Sequence, residues 1–314
     1  MVVETAYGLT TAVVTADEAL NTDWASLRGE FDVVRVLDPK PRSRPQLRRA
    51  GFAVHPAWVT WIAPACPSEE AFLDGLSGKE RRSVRAGMRF VDEQGIRMKA
   101  VLPLDSDTYD AFLELYERQI STMRHGVPFA RHDRDDVLSH ADEYFAVQVL
   151  ADDTLVGCCV CRVREDVSTV VIRFAATAPD SRQHRVVRAM YMQAFQVARE
   201  LGCRDISLGT DPALYGHIAK PGLFSFKTAL RFTPIPARFF GTVDEPDEAT
   251  RVLRLDALSE PSLLLRYHLP ADDGSGLIVE GAPLGLDVLT TQPAPDLRPY
   301  RAPFVQDVDV RLVG

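Results

Sequence analysis

The sequence of 314 residues has no apolar run near the roughly 20 residues that a membrane-spanning helix needs. Its first five residues lack the basic and apolar regions of a secretory signal, so we expect a cytoplasmic protein without a membrane partner. Lysine and arginine number 36 against 44 aspartates and glutamates. The resulting charge of −8 excludes a protein that coats DNA with its whole surface, although a local basic patch is compatible with it.

Cysteine is scarce and irregularly spaced. The chain has five cysteines, an odd number that does not indicate a disulfide framework. Cys158, Cys159 and Cys161 lie in one apolar segment that is typical of a buried strand. Because neighbouring side chains of a strand point to opposite faces, only Cys159 and Cys161 share a face, and no nearby histidine completes a tetrahedral site. We therefore predict buried thiols and no bound metal.

Familiar catalytic motifs are absent as well. The sequence has no Walker loop, no dinucleotide-binding glycine pattern, no zinc-protease helix and no nucleophile elbow. Its 46% apolar and 25% charged residues are the composition of an ordinary soluble globular protein. The order of the secondary-structure elements therefore has to support any prediction of function.

Hydrophobic periodicity predicts both strands and helices along the chain. The predicted strands are 9–14, 31–37, 57–63, 96–102, 144–150, 155–164, 169–176, 204–208 and 233–240. The predicted helices are 17–27, 78–93, 107–120, 183–201 and 222–230. Several antiparallel strands, then a long helix and another strand, indicate an α+β fold with a mixed sheet rather than a doubly wound sheet. After residue 243 acidic turns and prolines separate short apolar runs, which predicts a β-rich extension.

The predicted helix 78–93 has an unusual charge pattern. Ser77 is placed to cap its amino terminus, and Arg81, Arg85 and Arg89 recur at a spacing of four residues. Like charges at this spacing repel each other by a few tenths of a kcal/mol per pair, a cost that an anionic partner would relieve. The alternative is a solvated face paired with acidic neighbours.

Three stretches follow one another in a recognisable order. They are Leu76–Arg85 leading to Gly95, Arg173–Asp180 with the long helix up to Asp205, and Leu208–Thr210 followed by Phe226–Phe232. A basic helix, a strand–helix–strand core and a Phe-Lys pair in this order resemble the GNAT acyltransferase superfamily. The resemblance is to its Fem-like branch, which includes aminoacyl-tRNA-dependent transferases.

The resemblance implies a fold and a division of the chain. The fold would be a GNAT-like mixed, mostly antiparallel sheet flanked by helices, in two degenerate halves. Residues 1–75 would be a degenerate first half, 76–242 the acyltransferase domain and 243–314 a β-rich extension. In GNAT proteins two central parallel strands diverge to admit the acyl donor, and the predicted strands 169–176 and 204–208 correspond to these.

The resemblance also implies where a donor binds. CoA-using members carry Gln/Arg-x-x-Gly-x-Gly/Ala at the start of the long helix, so that pyrophosphate reaches bare backbone amides. This chain has arginine and valine in place of both small residues, which makes a donor on tRNA or a carrier protein more attractive. The side chains expected to bind donor phosphates are Arg182, His184, Arg185 and Arg188. The alternative is that these residues are a solvated helix start.

In this superfamily an amine attacks a thioester or ester carbonyl directly, and no covalent nucleophile is needed. The candidate acid and base groups are Asp211, Tyr215 and His217, which follow a predicted strand, and His125, in the loop after helix 107–120. Tyr215 would protonate the leaving group, with His217 or Asp211 as base. Each of these residues also has a purely structural interpretation.

Three cationic side chains are expected to bind substrate. Lys227, at the Phe-Lys position of the family, would bind a phosphate or carboxylate of the acceptor, or would simply cap its own helix. Arg173 lies on the strand that would line the cleft, and its apolar neighbours predict a charged partner. Arg124 lies beside His125 in the same loop.

The sequence thus predicts an N-acyltransferase that moves an acyl or aminoacyl group to an amine of a small molecule or peptide. Acyl-CoA is the expected donor, and aminoacyl-tRNA or a carrier protein is the main alternative. Two other classes stay open at this point. One is an inactive GNAT-like binding scaffold, and the other is a metal-dependent hydrolase with His125, His132 and Asp135 as ligands.

Overall fold

The computed structural model describes residues 1–241, 246–269 and 275–313, apart from the side chains of Arg182 and Gln183. Its strands are β1 (Val2–Ala6), β2 (Leu9–Val14), β3 (Val33–Leu37), β4 (Ala53–Pro56), β5 (Trp58–Pro64), β6 (Arg97–Val101), β7 (Tyr144–Ala151), β8 (Thr154–Arg164), β9 (Thr169–Thr177), β10 (Asp205–Pro212), β11 (Leu214–Tyr215), β12 (Thr233–Pro236), β13 (Asp247–Val252), β14 (Ser262–Tyr267), β15 (Leu284–Thr290) and β16 (Val305–Leu312). Its helices are α1 (Ala16–Asn21), α2 (Arg44–Arg49), α3 (Glu69–Gly75), α4 (Gly78–Glu93), α5 (Ser106–Ile120), α6 (Phe129–His132), α7 (Arg134–Ser139), α8 (Pro179–Gln183), α9 (Val186–Glu200), α10 (Pro221–Ala229) and α11 (Ala237–Phe240).

The chain forms two compact units. The first consists of Met1–Thr60, Thr210–Thr228 and Thr233–Gly314, and the second of Trp61–Gly209 and Ala229–Phe232. The predicted division into 1–75, 76–242 and 243–314 concerns the family halves of the chain and stays a prediction. Its boundary at 242–243 lies outside the described residues.

The first unit contains two sheets. One has the strand order β1-β2-β3-β13-β4, with β13 antiparallel to both β3 and β4. The other has the order β11-β14-β15-β16. Large apolar side chains from both early and late parts of the chain, such as Trp24, Leu47, Phe52 and Tyr267, pack into one core cluster. Burial of these side chains is the main force that holds the unit together.

The second unit is a sheet flanked by helices. Its strands follow the order β5-β10-β9-β8-β7-β6; β6 to β9 are antiparallel neighbours, and β9 and β10 are parallel. Helix α5 packs on β8 and β9, while α9 packs on β6 to β9 and carries α4 on its outer side. The predicted α+β fold with a mixed, mostly antiparallel sheet is confirmed.

Local sequence signals place several helices correctly. The hydroxyl of Ser77 accepts a hydrogen bond from the Glu80 amide at 3.2 Å, as its predicted role at the start of α4 requires. Thr15, Ser68 and Asp105 cap three other helices in the same way. Capping gives hydrogen-bond partners to amides that a helix leaves without them. The capping residue lies within a few positions of these amides, so the sequence alone predicts where the helix starts.

The prediction that Cys158, Cys159 and Cys161 are buried thiols is also confirmed. Cys159 and Cys161 lie on one face of β8 with their sulfur atoms 3.8 Å apart, and Cys158 faces the other way into the cluster around α5. All three are buried and free. Burial raises the pKa of the Cys158 and Cys161 thiols well above its usual value, so they stay protonated packing groups.

Three predicted elements differ from the structure. The predicted helix 17–27 ends at Asn21, and residues 22–27 are not helical. The predicted strand 233–240 ends at Pro236, and residues 237–240 form the short helix α11, because Pro236 has its φ fixed near −55° and precedes a helical turn. The predicted helix 183–201 is interrupted at His184 and Arg185, so that α8 and α9 are separate. Within the described ranges no helix is long and apolar enough to cross a membrane.

Candidate active site

Strands β9 and β10 run together for a short distance and then separate. They are paired at three positions, the last of which is Ser207 opposite Val171. Beyond it β9 continues to Thr177, and β10 continues through Gly209, whose φ of +71° is in the left-handed region that favours glycine. The Ser207 hydroxyl accepts a hydrogen bond from the Gly209 amide at 3.1 Å and fixes this turn. The pairing of these strands therefore ends at Ser207, as the predicted slot requires.

A bulge in β9 lies opposite this slot. Val160 of β8 pairs with Phe174, but the next residue, Cys161, pairs with Ile172, so Arg173 is the extra residue. A bulge of this kind bends the strand and increases its twist. It thereby contributes to the divergence of β9 from β10.

Arg173 has the charged partner that its apolar surroundings predict. Its Nη2 donates to Asp133 Oδ2 at 2.7 Å, and its Nη1 donates to the hydroxyl of Tyr144. Its guanidinium also lies 5.3 Å from the centroid of the Phe174 ring. We call Arg173, Asp133 and Tyr144 the arginine cluster. Asp133 comes from the turn between α6 and α7, which closes the loop that contains Arg124 and His125.

A second cluster lies in the first unit. Lys227 Nζ donates to Asp211 Oδ2 at 2.7 Å, and the Tyr215 hydroxyl donates to the same oxygen at 2.9 Å. Lys227 is 4% exposed, Asp211 7% and Tyr215 0%. We call these three residues the lysine cluster. Burial lowers the pKa of Lys227, and the Asp211 carboxylate opposes some of that change.

The chain brings the lysine cluster together through three short elements. Asp211 lies near the end of β10, Tyr215 lies on β11 opposite Leu263 of β14, and Lys227 lies in the last turn of α10. The ring of Phe224 packs edge-on against Tyr215, with the ring centroids 5.7 Å apart. The lysine therefore points at a carboxylate, although its position in the last turn would also suit a helix cap.

The other predicted acid and base groups lie elsewhere. His217 is buried, and its Nε2 is 3.1 Å from the Tyr7 carbonyl oxygen, with the two rings tilted against each other. His125 is half-buried and Arg124 is exposed, in the turn that follows α5. Asp211, Tyr215 and Lys227 are thus the members of the predicted set that contact one another in the first unit.

The predicted phosphate-binding residues surround the turn between α8 and α9. Arg185 is exposed and has a φ of +61°, the conformation that a glycine would adopt without strain. The His184 ring stacks on Phe90 of α4, with the centroids 4.0 Å apart. Arg188 is paired with the buried carboxylate of Glu80. The side chain of Arg182 lies outside the described residues.

Helix α4 lies directly against this turn. A Cβ on Gly87 would be 2.7 Å from the Arg185 carbonyl oxygen, so only glycine allows this approach. The amide of Thr177, at the end of β9, donates to the Gln119 side chain at 3.1 Å. Arg185 and Val187 occupy the positions of the two small residues, and among the described side chains of this turn those of His184 and Arg185 are exposed.

Only two of the three arginines predicted to form a basic stripe on α4 are exposed there. Arg81 donates to the carbonyl oxygens of Leu73 and Asp74 and is paired with the Asp74 carboxylate, so it belongs to a local ion pair. Arg85 and Arg89 are exposed and have no partner among the residues described by the structure. Arg82 shares their side of the helix, opposite the face that packs on α9.

The metal-dependent alternative finds no support in the geometry. Within the described ranges of the chain no group of three or more His, Cys, Asp or Glu residues could hold a metal ion. His125, His132 and Asp135 belong to those ranges and form no such group.

Comparison with known proteins finds a family match over one segment of the chain. Residues 108–218 match the family described as Acetyltransferase (GNAT) family, which confirms the predicted GNAT resemblance over that segment. No curated protein matches the chain. Similar solved structures include FemX, at 13% identity with 78% of this chain and 81% of that chain covered and a TM-score of 0.45. L-PGS from Bacillus licheniformis is 12% identical, with 69% and 67% covered and a TM-score of 0.41.

Sequence reasoning missed the partners that hold these side chains. Asp133, Tyr144, Glu80 and Gln119 each contact a residue of the predicted site or its strand, from at least 29 positions away along the chain. A single sequence has no signal for such distant pairs. The one available hint was a charged residue on an apolar strand, which indicated that Arg173 needed some partner.

Proposed function

We propose that this chain, which matches the Acetyltransferase (GNAT) family over residues 108–218, joins an acyl or aminoacyl group from an activated donor to an amine of a small molecule or peptide. The end of the pairing between β9 and β10 at Ser207, although both strands continue, is the observation that carries the proposal. A strand end without a neighbour offers backbone groups to a ligand that lies between the strands. A carbonyl held there is polarised by fixed donors, which lowers the barrier to attack.

The proposed reaction is direct transfer. The acceptor ammonium first gives up a proton, and its nitrogen then forms a bond to the donor carbonyl carbon. The tetrahedral oxyanion collapses, the bond from carbon to the thiolate or alkoxide breaks, and the leaving group takes a proton. Holding both reactants in line supplies a large share of the rate, so the protein needs no covalent nucleophile.

We assign the proton transfers to the lysine cluster, together with the positive charge that binds the acceptor. Asp211 accepts from both Lys227 and Tyr215, so it connects a basic group with an acidic one. Burial makes Lys227 release its proton more readily than a surface lysine. Tyr215 would donate to the leaving group and Asp211 would act as base, with His217 and His125 as the alternative bases. Lys227 would bind an acceptor carboxylate or phosphate.

The arginine cluster is proposed to bind an anionic group of a substrate. Arg173 is held in one orientation by Asp133 and by the Tyr144 hydroxyl, and its side chain is still 28% exposed. An oriented guanidinium binds a carboxylate or phosphate with little loss of side-chain freedom. Arg124 in the neighbouring loop would add a more flexible charge.

For the donor, we propose acyl-CoA first, with phosphates bound by the side chains of Arg182, His184 and Arg185. Aminoacyl-tRNA is the second candidate, and it has its own supporting observation. Arg82, Arg85 and Arg89 form an exposed basic face on α4, which lies against the turn at Arg185. A row of arginines is suited to the regularly spaced phosphates of a nucleic acid.

Donor binding by the full chain tests these alternatives. Isothermal titration with CoA and with bulk tRNA, each at low and high salt, measures both affinities. An acyl-CoA donor predicts CoA binding that Arg85→Ala/Arg89→Ala does not change. A tRNA donor predicts binding that weakens with salt and is lost in that variant, whereas Arg42→Ala, an exposed arginine of the first unit, leaves it unchanged.

Turnover decides whether the protein is an enzyme at all. Incubation with acyl-CoA, or with charged tRNA, and a panel of amines should give an amide that mass spectrometry detects. Amide formation would eliminate the alternative of an inactive binding scaffold. If no amide forms with any acceptor, although a donor binds, the proposed transfer is wrong.

A further inference from the structure

Helix α4 has a buried glycine in its interior, and the helix packs against α9. A glycine inside a helix is less favourable than alanine, so helix formation does not explain Gly87. A close backbone approach does: a Cβ on Gly87 would be 2.7 Å from the Arg185 carbonyl oxygen and 3.3 Å from the carbonyl carbon. Because both atoms belong to the backbone, they cannot turn away as the end of a long side chain could. A larger residue at position 87 therefore has to move α4 or the turn at Arg185.

The carbonyl group that Gly87 faces also begins α9. Arg185 precedes the first residue of this helix, and its carbonyl oxygen accepts a hydrogen bond from the Arg188 amide at 2.9 Å. Arg185 has a left-handed backbone conformation, with a φ of +61°, which an arginine adopts only with strain. Surrounding contacts have to hold a strained residue in place. A shift of this carbonyl group would therefore move both the turn and the start of α9.

Two side chains of α4 hold the same turn on either side of Arg185. The ring of Phe90 stacks on that of His184, with an angle of 2° between the ring planes. The buried carboxylate of Glu80 is paired with Arg188. Together with the glycine, α4 thus contacts residues before, at and after the left-handed position.

The turn carries the side chains to which the proposed function assigns the donor phosphates. His184 and Arg185 are both exposed there. Each of them meets a phosphate only if the backbone directs it there, and a displacement of about 1 Å is enough to lose an oriented contact. The position of α4 against the turn should therefore set the affinity for the donor.

We propose that Gly87 is a positioning residue of the donor site, because it lets α4 hold the turn so that His184 and Arg185 meet the phosphates of CoA. This inference rests on the proposed CoA donor. Gly87 itself is buried against the turn and does not contact the donor. The alternative is a role in helix packing alone. A substitution would then lower stability but leave the CoA affinity of the folded protein unchanged.

Gly87→Ala in the full chain tests the proposal, with Gly78→Ala as its matched control. Gly78 is exposed in the first turn of the same helix, and a Cβ there would be 3.7 Å from Arg82, an ordinary contact. Titration calorimetry with CoA should show about tenfold weaker binding by Gly87→Ala, the loss of one charge-assisted hydrogen bond. Gly78→Ala should bind as the unchanged protein does. In turnover, Gly87→Ala should raise the KM for acyl-CoA with a smaller change in kcat.

Amide hydrogen exchange reports on the turn without any ligand. The Arg188 amide donates to the Arg185 carbonyl oxygen, so it should exchange at least about tenfold faster in Gly87→Ala than in Gly78→Ala. If Gly87→Ala does not fold, Phe90→Leu takes its place, because it removes the ring that stacks on His184 without adding volume. Loss of this aromatic pair should weaken CoA binding by about threefold.

The outcomes separate this inference from the proposed function. Equal CoA binding by Gly87→Ala and Gly78→Ala, or by Phe90→Leu and the unchanged protein, would overturn the inference and leave the CoA donor in place. Equal exchange of the Arg188 amide in the two glycine variants would overturn it as well. If the unchanged protein does not bind CoA, the donor assignment itself is wrong, and the inference falls with it.

Discussion

The lysine and arginine clusters contain the same three kinds of group, a cation, a carboxylate and a tyrosine hydroxyl, in opposite arrangements. In the lysine cluster the Asp211 carboxylate is the centre and accepts from both partners. In the arginine cluster the guanidinium of Arg173 is the centre and donates to both. The side chain of Lys227 is 5% exposed, whereas that of Arg173 is 28% exposed.

This difference separates a group that can exchange protons from one that cannot. Burial lowers the pKa of Lys227, so its proton is held less firmly than on a surface lysine. Arginine stays charged at any physiological pH and presents donors in a rigid plane. The buried lysine cluster can therefore exchange protons as well as offer a charge, whereas the partly exposed arginine cluster offers a permanent cation. Substitutions in the two clusters should accordingly have different effects.

The largest effect should follow Lys227→Met. It leaves the Asp211 carboxylate buried without its cation, which typically costs about 3–5 kcal/mol of unfolding free energy. Turnover should fall by about two to three orders of magnitude, since an electrostatic contact with the reacting groups is lost. Urea unfolding and amide formation measure the two effects.

The double variant Lys227→Met/Asp211→Asn separates structure from chemistry. It removes both charges, so most of the lost stability should return while turnover stays low. Lys220→Met is the matched control, because Lys220 is in the same unit and its Nζ donates to the Gly216 carbonyl oxygen. Recovery of turnover in the double variant would show that the cluster is only structural.

The two tyrosines should respond unequally to loss of the hydroxyl. Tyr215→Phe takes a donor from a buried carboxylate and should cost about 1–3 kcal/mol. Tyr144→Phe removes one acceptor from Arg173, which keeps Asp133, so its cost should be about 1 kcal/mol or less. Thermal or urea unfolding of the two variants measures the difference. Equal costs would contradict the assignment of Asp211 as the centre of the buried cluster.

Arg173→Met should affect binding more than stability. A half-exposed ion pair contributes about 1 kcal/mol or less, because water screens it. The KM for the substrate whose anionic group Arg173 binds should rise by about tenfold with a smaller change in kcat, the pattern of a lost binding contact. Arg173→Lys should restore little, since lysine lacks the planar donors that reach both Asp133 and Tyr144. A fall in kcat as large as that of Lys227→Met would contradict the proposed difference between the arginine and lysine clusters.

The smallest expected effect is a pH dependence of stability. Between the lowered folded-state pKa of Lys227 and the usual 10.5, the unfolded chain keeps the lysine proton and the folded chain releases it. The unfolding free energy should therefore rise with pH in that window, by at most about 1.4 kcal/mol per pH unit. Below the window both states are protonated and the slope should disappear.

The reference for this measurement is the Lys227→Met/Asp211→Asn variant, which lacks the titrating lysine and its carboxylate partner but keeps every other group. The difference between the two proteins should slope upward below pH 10.5. The corresponding difference for Arg173→Met should be flat. A flat difference for the lysine cluster as well would mean that Asp211 fully compensates the burial of Lys227.

Local features of this fold could be predicted from the sequence, and distant pairs could not. Helix α4 and its cap at Ser77 follow from side chains within four residues of one another. The divergence of β9 and β10 was expected from the family resemblance, but the bulge at Arg173 was not. A bulge shifts the register of one residue against a neighbouring strand, and a single strand sequence does not record its partner's register.

The contacts of the candidate site illustrate the same limit. Asp211 and Lys227 were both predicted to be functional, but their ion pair depends on how β11 and α10 turn the chain between them. The β-rich tail also contains an informative spacing of two aspartates. Asp307 and Asp309 alternate along β16 and so share a face, where they meet Arg266. Their partner is some 40 residues earlier, beyond the reach of any local pattern.

The position of β13 in its sheet has a consequence for synthesis. Strands β3 and β4 are made early, but neither pairs with the other; β13, from residues 247–252, is inserted between them. The ribosome therefore releases two strands with open edges nearly 200 residues before the strand that joins them. Such a nascent chain is exposed to mispairing for a long interval, and contacts so distant in sequence form slowly. We expect a chaperone that shields strand edges during translation to raise the yield of folded protein.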